Sequence, residues 1–361
     1  MNAKKIISVL LIALLMLVTI TGCAGDADNA GTQPQTDSSS AIESDGDMAE
    51  ETVSVALLLP GPINDGGWNT SAYEGLKMLE EKYGWSISYS ENISIDKQSS
   101  ALRDYARQGY DFIIGHGFQF GDSLIEVASE FPDTFFAQVG GDVGGTYANL
   151  TSGNFRTGEL AFVLGRMAAE LTESNLIGFI GAMEIPTTVD EVETIEATVA
   201  KYNPDAKVAV AYTGTWTDVA AAKEATKAMI AKGADVIVGI ADATDVGSIQ
   251  ACQEADSQVW YVGWAGDRYE LGPDVVATSG VQSVPELILS MAERLINKQD
   301  GIAGYYGIEE GVQLIGQFGD NFPEDLKQMV LEEHQKFITG EYTRNGIMDI
   351  IGRVPEVMYD K

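Results

Sequence analysis

Cysteine and histidine are almost missing from this chain, which has two of each. Cys23 and Cys252 cannot build a disulfide framework, and Cys252, inside the helix-like SIQACQEA, reads as a small buried apolar residue. His116 stands in a strand-end turn, and His334, in the helix-like LEEHQKF, reads as solvent-facing. HExxH, CxxC, GxSxG and the phosphate-cradling GK[ST] do not occur. That removes the usual signs of a zinc protease, a redox dithiol, an α/β-hydrolase and a nucleotide triphosphatase. GHGFQFG misses the dinucleotide spacing GxGxxG by one position. No catalytic residue, cofactor or metal site is predicted, and the acids of DATD read as solvated. Positive charge is scarce as well: 22 Lys and Arg face 54 Asp and Glu, a net charge of −32. Such a surface repels nucleic acid and anionic membrane alike, so nucleic acid is excluded as a partner.

The amino terminus is built differently from the rest. MNAKK, then the apolar IISVLLIALLMLVTITG, then CAG have the layout of a secretory signal, predicted over 1–22. ITGC also resembles a bacterial lipobox, which implies cleavage before Cys23 and lipid on its sulfur. The alternative is an uncleaved anchor; either way the mature chain works at the extracytoplasmic face of the cell membrane. Residues 23–51, rich in Ser, Gly, Asp and Glu, have too little apolar surface to offset their ordering entropy. They read as a disordered acidic tether with a span of roughly 30 Å.

From residue 52 on, short apolar runs alternate with segments of helical period. VSVALLLP, SISYSEN, YDFIIGHG and TFFAQVG are predicted strands separated by helices. After YANLTSGNF the series restarts with NLIGFIGA, AKVAVAYTG, ADVIVGIA and VWYVGWAG. Continuous apolar strands between helices mean parallel sheets covered on both faces. The predicted fold class is α/β, with two doubly wound parallel-sheet lobes joined by a hinge. Lobe 1 is assigned 52–154 plus about 278–318, and lobe 2 155–277 plus about 319–361. The chain is expected to cross between them near LTSGNF, near VVATSGV, and between NKQDG and GVQLIG.

In open α/β sheets ligands collect beyond the carboxyl ends of the strands. The loops there carry Trp68, Phe118, Phe120, Trp216, Trp264 and Tyr269, with Asp65, Asp242, Asp245 and Asp267. Aromatic rings on most strand ends of both halves favour a flat solute, since stacking contributes about 1–3 kcal/mol per contact.

INDGGWNTSAYEGL resembles the opening motif of the basic membrane protein (BMP) family, carried here by Asn64, Asp65, Trp68, Asn69, Ala72 and Gly75. IIGHGFQFGDSLIEVASEFPDTFFAQV, NFRTGELAFVLG, GTWTDVAAAKEA, YVGWAGDRYELGP and GVQLIGQF resemble later segments of that family, in the same order. The resemblance implies a periplasmic-binding-protein-like lipoprotein, the substrate-binding component of an ABC importer, of a kind that includes purine nucleoside binders. It implies a permease and an ATPase as partners. On the family's pattern Asp65 accepts from a ring N–H, Trp68 stacks on or walls the ring, and Asn69 holds the loop or the ligand. Phe118 is the ring neighbour expected from lobe 1; Trp216, Asp242, Trp264 and Asp267 complete the ligand-binding set. One departure stands out. Nucleoside binders carry Gly-x-Asp-x-Asp-Gln at the last strand end, followed by a downstream Lys. This chain has Gly263-Trp264-Ala265-Gly266-Asp267-Arg268, with Gln282 or a neighbour near the Lys position. A lost partner for a buried sugar hydroxyl costs about 1–3 kcal/mol. A free purine base is therefore as well supported as a nucleoside.

Three function classes remain: a monomeric solute receptor that closes around its ligand, the same fold as a ligand sensor for a signalling receptor, and a secreted enzyme of nucleoside metabolism. The tether, the duplicated lobes and the missing catalytic group favour the first. Another flat heterocycle or a sugar is the alternative ligand.

Overall fold

The computed structural model describes residues 52–64 and 67–354. The signal segment, the tether, Cys23, Asp65 and the last seven residues of the chain lie outside the described residues.

Within the unit Glu51–Lys361 the elements run β1 (Ser54–Leu58), α1 (Trp68–Tyr83), β2 (Ser86–Ser90), α2 (Gln98–Arg107), β3 (Phe112–His116), α3 (Gly121–Ala128), β4 (Phe135–Val139) and β5 (Leu150–Phe155). They continue as α4 (Glu159–Leu171), β6 (Leu176–Gly181), α5 (Pro186–Tyr202), β7 (Lys207–Tyr212), α6 (Val219–Ala231), β8 (Val236–Ile240), α7 (Asp245–Gln253) and β9 (Trp260–Ala265). The chain ends with β10 (Val276–Gln282), α8 (Val284–Ile296), β11 (Ala303–Tyr306), β12 (Gln313–Ile315), α9 (Glu324–Ile338) and α10 (Arg344–Ile351). Two sheets result, ordered β11-β5-β4-β3-β1-β2 and β12-β10-β9-β8-β6-β7. Every pair in the first is parallel. In the second only β10 with β12 is antiparallel.

The strand order explains the burial. β3, β4 and β8 are central and buried throughout, and β1 is buried from its second residue on, which is why they read as unbroken apolar runs. β2 and β7 are sheet edges and stay half-exposed, so SISYS and KVAVAY mix polar and apolar residues. Each side chain fully buried in these layers contributes about 1.5–3 kcal/mol. One core joins Leu57, Leu76 and Phe112 to Leu287 and Met291; another joins Phe162, Phe179 and Val262 to Phe337 and Ile347.

Two strands depart from the sequence reading. LTSGNF and VATSGVQ, beside which crossings between lobes are expected, are themselves strands β5 and β10. Both contain Thr-Ser-Gly, which carries little β signal, yet these residues are buried. The hydroxyl of Thr151 donates to the carbonyl of Ile302 at 3.0 Å, and that of Thr278 to the carbonyl of Gly316 at 2.9 Å. Each glycine lets a helix approach: a Cβ on Gly153 would lie 2.9 Å from Leu287 and Met291, and one on Gly280 3.0 Å from Leu164. The assignment of 278–318 to lobe 1 is corrected accordingly. β10 and β12 pair within the second sheet, while α8 and β11 return to the first. The three crossings fall between β5 and α4, between β10 and α8, and between β11 and β12.

Candidate functional site

The carboxyl ends of strands from both sheets meet around a cavity of about 250 Å³, just under the ~300–1,000 Å³ usual for a small-molecule site. Trp68, Asn154 and Phe155 line it from the first sheet. The second sheet supplies Trp216 after β7, Asp242 after β8, Trp264 and Ala265 at the end of β9, and Gln282 at the end of β10. Ile185, Thr187, Thr188 and Glu191 come from the start of α5. A second compartment of about 180 Å³ shares Trp68, Phe155, Asp242, Ala265 and Gln282 with it and adds Ser71 and Arg268. A larger hollow, about 720 Å³, is lined by Glu170, Asp235, Trp260 and Leu326. It sits at the amino ends of β8 and β9, the wrong end of a parallel sheet for a ligand.

Trp68 is held firmly. It opens α1, its ring lies 4.3 Å from the ring of buried His116, and its carbonyl contacts His116 Nε2 at 3.0 Å. Gly140, in the left-handed region at φ 72°, passes beneath the indole, and a Cβ there would lie 3.0 Å from the ring. His116 thus braces Trp68 and does not line the cavity. Asn69 is buried and its Oδ1 accepts from the N–H of Gly61 at 3.3 Å, so it ties down the loop after β1.

Four of the eight sequence-nominated ligand residues come together here: Trp68, Trp216, Asp242 and Trp264. Asn69 holds the loop, and Asp65 lies outside the described residues. Phe118 is 79% exposed and does not line the cavity. Asp267 turns to structural work, accepting from the N–H groups of Tyr269 (3.1 Å) and Gln317 (2.8 Å). The cause is local: Ala265 sits at φ 65° and folds the strand end into a tight turn. Asp242 is also at positive φ, 50°. Strained non-glycine residues of this kind cluster at binding sites. Among the other strand-end residues, Phe120 is buried in the core, and the Tyr269 hydroxyl donates to Asp320 at 2.7 Å. His334 is half-buried, not solvent-facing, because its Nε2 reaches the carbonyl of Gln313 at 3.1 Å and draws α9 onto β12. Cys252 is a buried free thiol, and burial pushes it up to about 12.

Arg268 was not nominated from the sequence. Its Nε donates to Asp245 at 2.9 Å and its Nη2 to Asp242 at 3.4 Å, while its own N–H donates to Ser279. Burial raises the Asp245 carboxyl to about 6 against the pull of Arg268. Glu191 was missed too, although the helical period shows it: Thr188, Glu191, Ile195 and Thr198 share one buried stripe of α5. Among the described residues no group of three or more His, Cys, Asp or Glu side chains is placed to hold a metal ion.

The family model for ABC transporter substrate-binding proteins of the PnrA-like (Bmp) type matches residues 52–346. The chain belongs to this family. Transcriptional activator protein med of Bacillus subtilis is 30% identical over 298 residues, covering 81% of this chain and 90% of that one. A purine-binding protein of Brucella abortus is 27% identical over 299 residues, covering 81% and 83%. The nucleoside-binding protein BmpA of Lactococcus lactis, from an ABC transporter, is 25% identical over 362 residues, covering 94% and 98%. Among solved structures, the transcriptional activator of the comK gene from Bacillus halodurans superposes with a TM-score of 0.70 at 26% identity, covering 80% of this chain and 98% of that one. The expected BMP membership and the two-lobed α/β fold both hold. As a Bmp-family protein the chain is of the solute-binding kind, whose setting is extracytoplasmic and whose partners are a permease and an ATPase. Among the described residues no helix is long and apolar enough to cross a membrane.

Proposed function

We propose that this Bmp-family protein captures a purine, as the free base or as its nucleoside, and delivers it to an ABC permease. It is anchored by lipid on Cys23, acts as a monomer and turns nothing over. The observation that carries the ligand class is the cavity wall: indoles of Trp68, Trp216 and Trp264, contributed by both sheets, surround a space sized for one or two fused rings. The purine-binding and nucleoside-binding relatives support the same class. The strand end that would grip a sugar is weakened, because Ala265 offers no acceptor and Asp267 is committed to backbone N–H groups. The base is therefore the main handle, and Gln282, which lines both compartments, is the polar group nearest to serving a sugar.

A thermal-shift panel of adenine, guanine, adenosine, guanosine, riboflavin and glucose tests this. A solute at 100 times its dissociation constant adds about 2.7 kcal/mol of stability. Purines are expected to raise the melting temperature and to be recovered unchanged. A response to glucose or riboflavin alone overturns the ligand class, and recovery of hydrolysed nucleoside overturns the non-enzymatic reading. Replacing Cys23 with Ala is expected to move the protein from the membrane fraction to the medium.

A further inference from the structure

Glu191 lies on the second turn of α5, 3% exposed, and its side chain lines the tryptophan-walled cavity. Its Oε2 accepts the N–H of Gly158 at 2.9 Å. Its Oε1 is buried and has no hydrogen-bond partner among the described residues. A buried polar atom left alone is costly unless something arrives to satisfy it. We propose that Glu191 is a specificity-determining residue of the cleft, whose Oε1 hydrogen-bonds directly to the ring edge of the captured solute. This inference rests on the purine reading given above and deepens it.

The surroundings decide which way the hydrogen bond runs. Asp190, next on the same helix, takes both nearby guanidinium groups: Arg344 Nη2 donates to it at 3.1 Å, and Arg353 Nη1 lies 3.1 Å from it. The hydroxyl of Thr157 also donates to Asp190. Glu159 on α4 adds negative charge and has its own cation, Arg156, at 3.0 Å. Asp242 across the cavity is held by Arg268. Glu191 receives one backbone N–H and the field of Arg344. Burial raises its carboxyl to about 8, with Asp190 and Glu159 adding to the rise while Gly158 and Arg344 oppose it. Glu191 is therefore a neutral acid at pH 7. The Gly158 N–H marks Oε2 as the carbonyl oxygen, which leaves the proton on Oε1. Glu191 gives that proton in a hydrogen bond to an acceptor on the solute, a ring nitrogen or exocyclic carbonyl.

The sign follows. Binding needs the protonated form, so it is full below the pH at which Glu191 ionises and is lost as pH rises through it. Calorimetric titration of the protein with adenosine and adenine at pH 6.5 and 9.0 is expected to show about a tenfold loss of affinity at the higher pH. Titrations at pH 8.5 in buffers of different ionisation enthalpy are expected to show proton uptake on binding. Glu191→Gln keeps a donor at the same place, and is expected to bind as tightly at pH 9.0 as at 6.5 with no proton uptake. Glu191→Leu is expected to bind at least tenfold more weakly at both values. The wild-type profile and proton count need no variant, so a folding defect in either substitution leaves the test intact. A flat wild-type profile, or affinity that rises with pH, overturns the inference while leaving the purine reading in place. Absence of binding by both solutes to the wild-type protein overturns both.

Discussion

Trp68 and Trp85 are the same residue type set to different work. Trp85 is buried against Tyr83 and Phe112, whereas Trp68 is 38% exposed and faces the cavity. Trp85→Ala is expected to cost about 3–5 kcal/mol of stability by leaving a core void. Trp68→Ala and Trp216→Ala are expected to leave folding cooperative and weaken purine binding at least tenfold each, about 1.4 kcal/mol. Denaturant titration and calorimetry on the three variants separate the two roles. Glu191 also marks the pH dependence of the empty protein. The folded state keeps a proton that the unfolded chain loses above pH ~4.3, so stability falls as pH rises from there towards 8. Glu191→Gln is expected to melt near the wild-type temperature at pH 5 and above it at pH 8.5. At this scale the strand-end rule leads to Trp68, Trp216, Asp242 and Trp264, which line one cavity, because a carboxyl-end position can be read from an apolar run. It was not enough for Phe118 or Asp267, because side-chain direction depends on single dihedrals such as φ 65° at Ala265. Glu191 escaped notice because an acid in DEVETIEATV suggests solvent until the helical stripe is drawn.

At the scale of elements, the central apolar strands and their helices were legible, since burial on both faces leaves a continuous hydrophobic signature. β5 and β10 were not, because their signature is the opposite: small polar residues whose hydroxyls serve neighbouring carbonyls, and a glycine under a helix. That glycine is required by space. Gly153→Val would drive its side chain into Leu287 and Met291 and is expected to destabilise by about 1–3 kcal/mol, read as a lower urea midpoint with an unchanged slope. The start of α1 at Trp68 is hard to read for a related reason: Gly67 caps the helix with no side-chain bond, so no Ser, Thr or Asp announces it.

For the whole molecule, the three crossings between sheets are tied together. Arg156, just after β5, donates to the carbonyl of Tyr305 at 2.8 Å and pairs with Glu159 and Glu310. Gln313 donates back to the carbonyl of Arg156 at 2.9 Å. Arg156→Ala would leave Glu159 buried without its cation, a change expected to cost about 3–5 kcal/mol and to appear as a lowered melting temperature. A ligand drives closure of the two halves only through contacts to both, which the shared lining of the cavity provides. The most direct test is a crystal structure with adenosine bound. The account predicts the purine ring within about 4 Å of Trp68 on one side and of Trp216 or Trp264 on the other, with an acceptor facing Glu191. A solute seated in the hollow beside Trp260 and Leu326, or one touching only a single sheet's side chains, would contradict it.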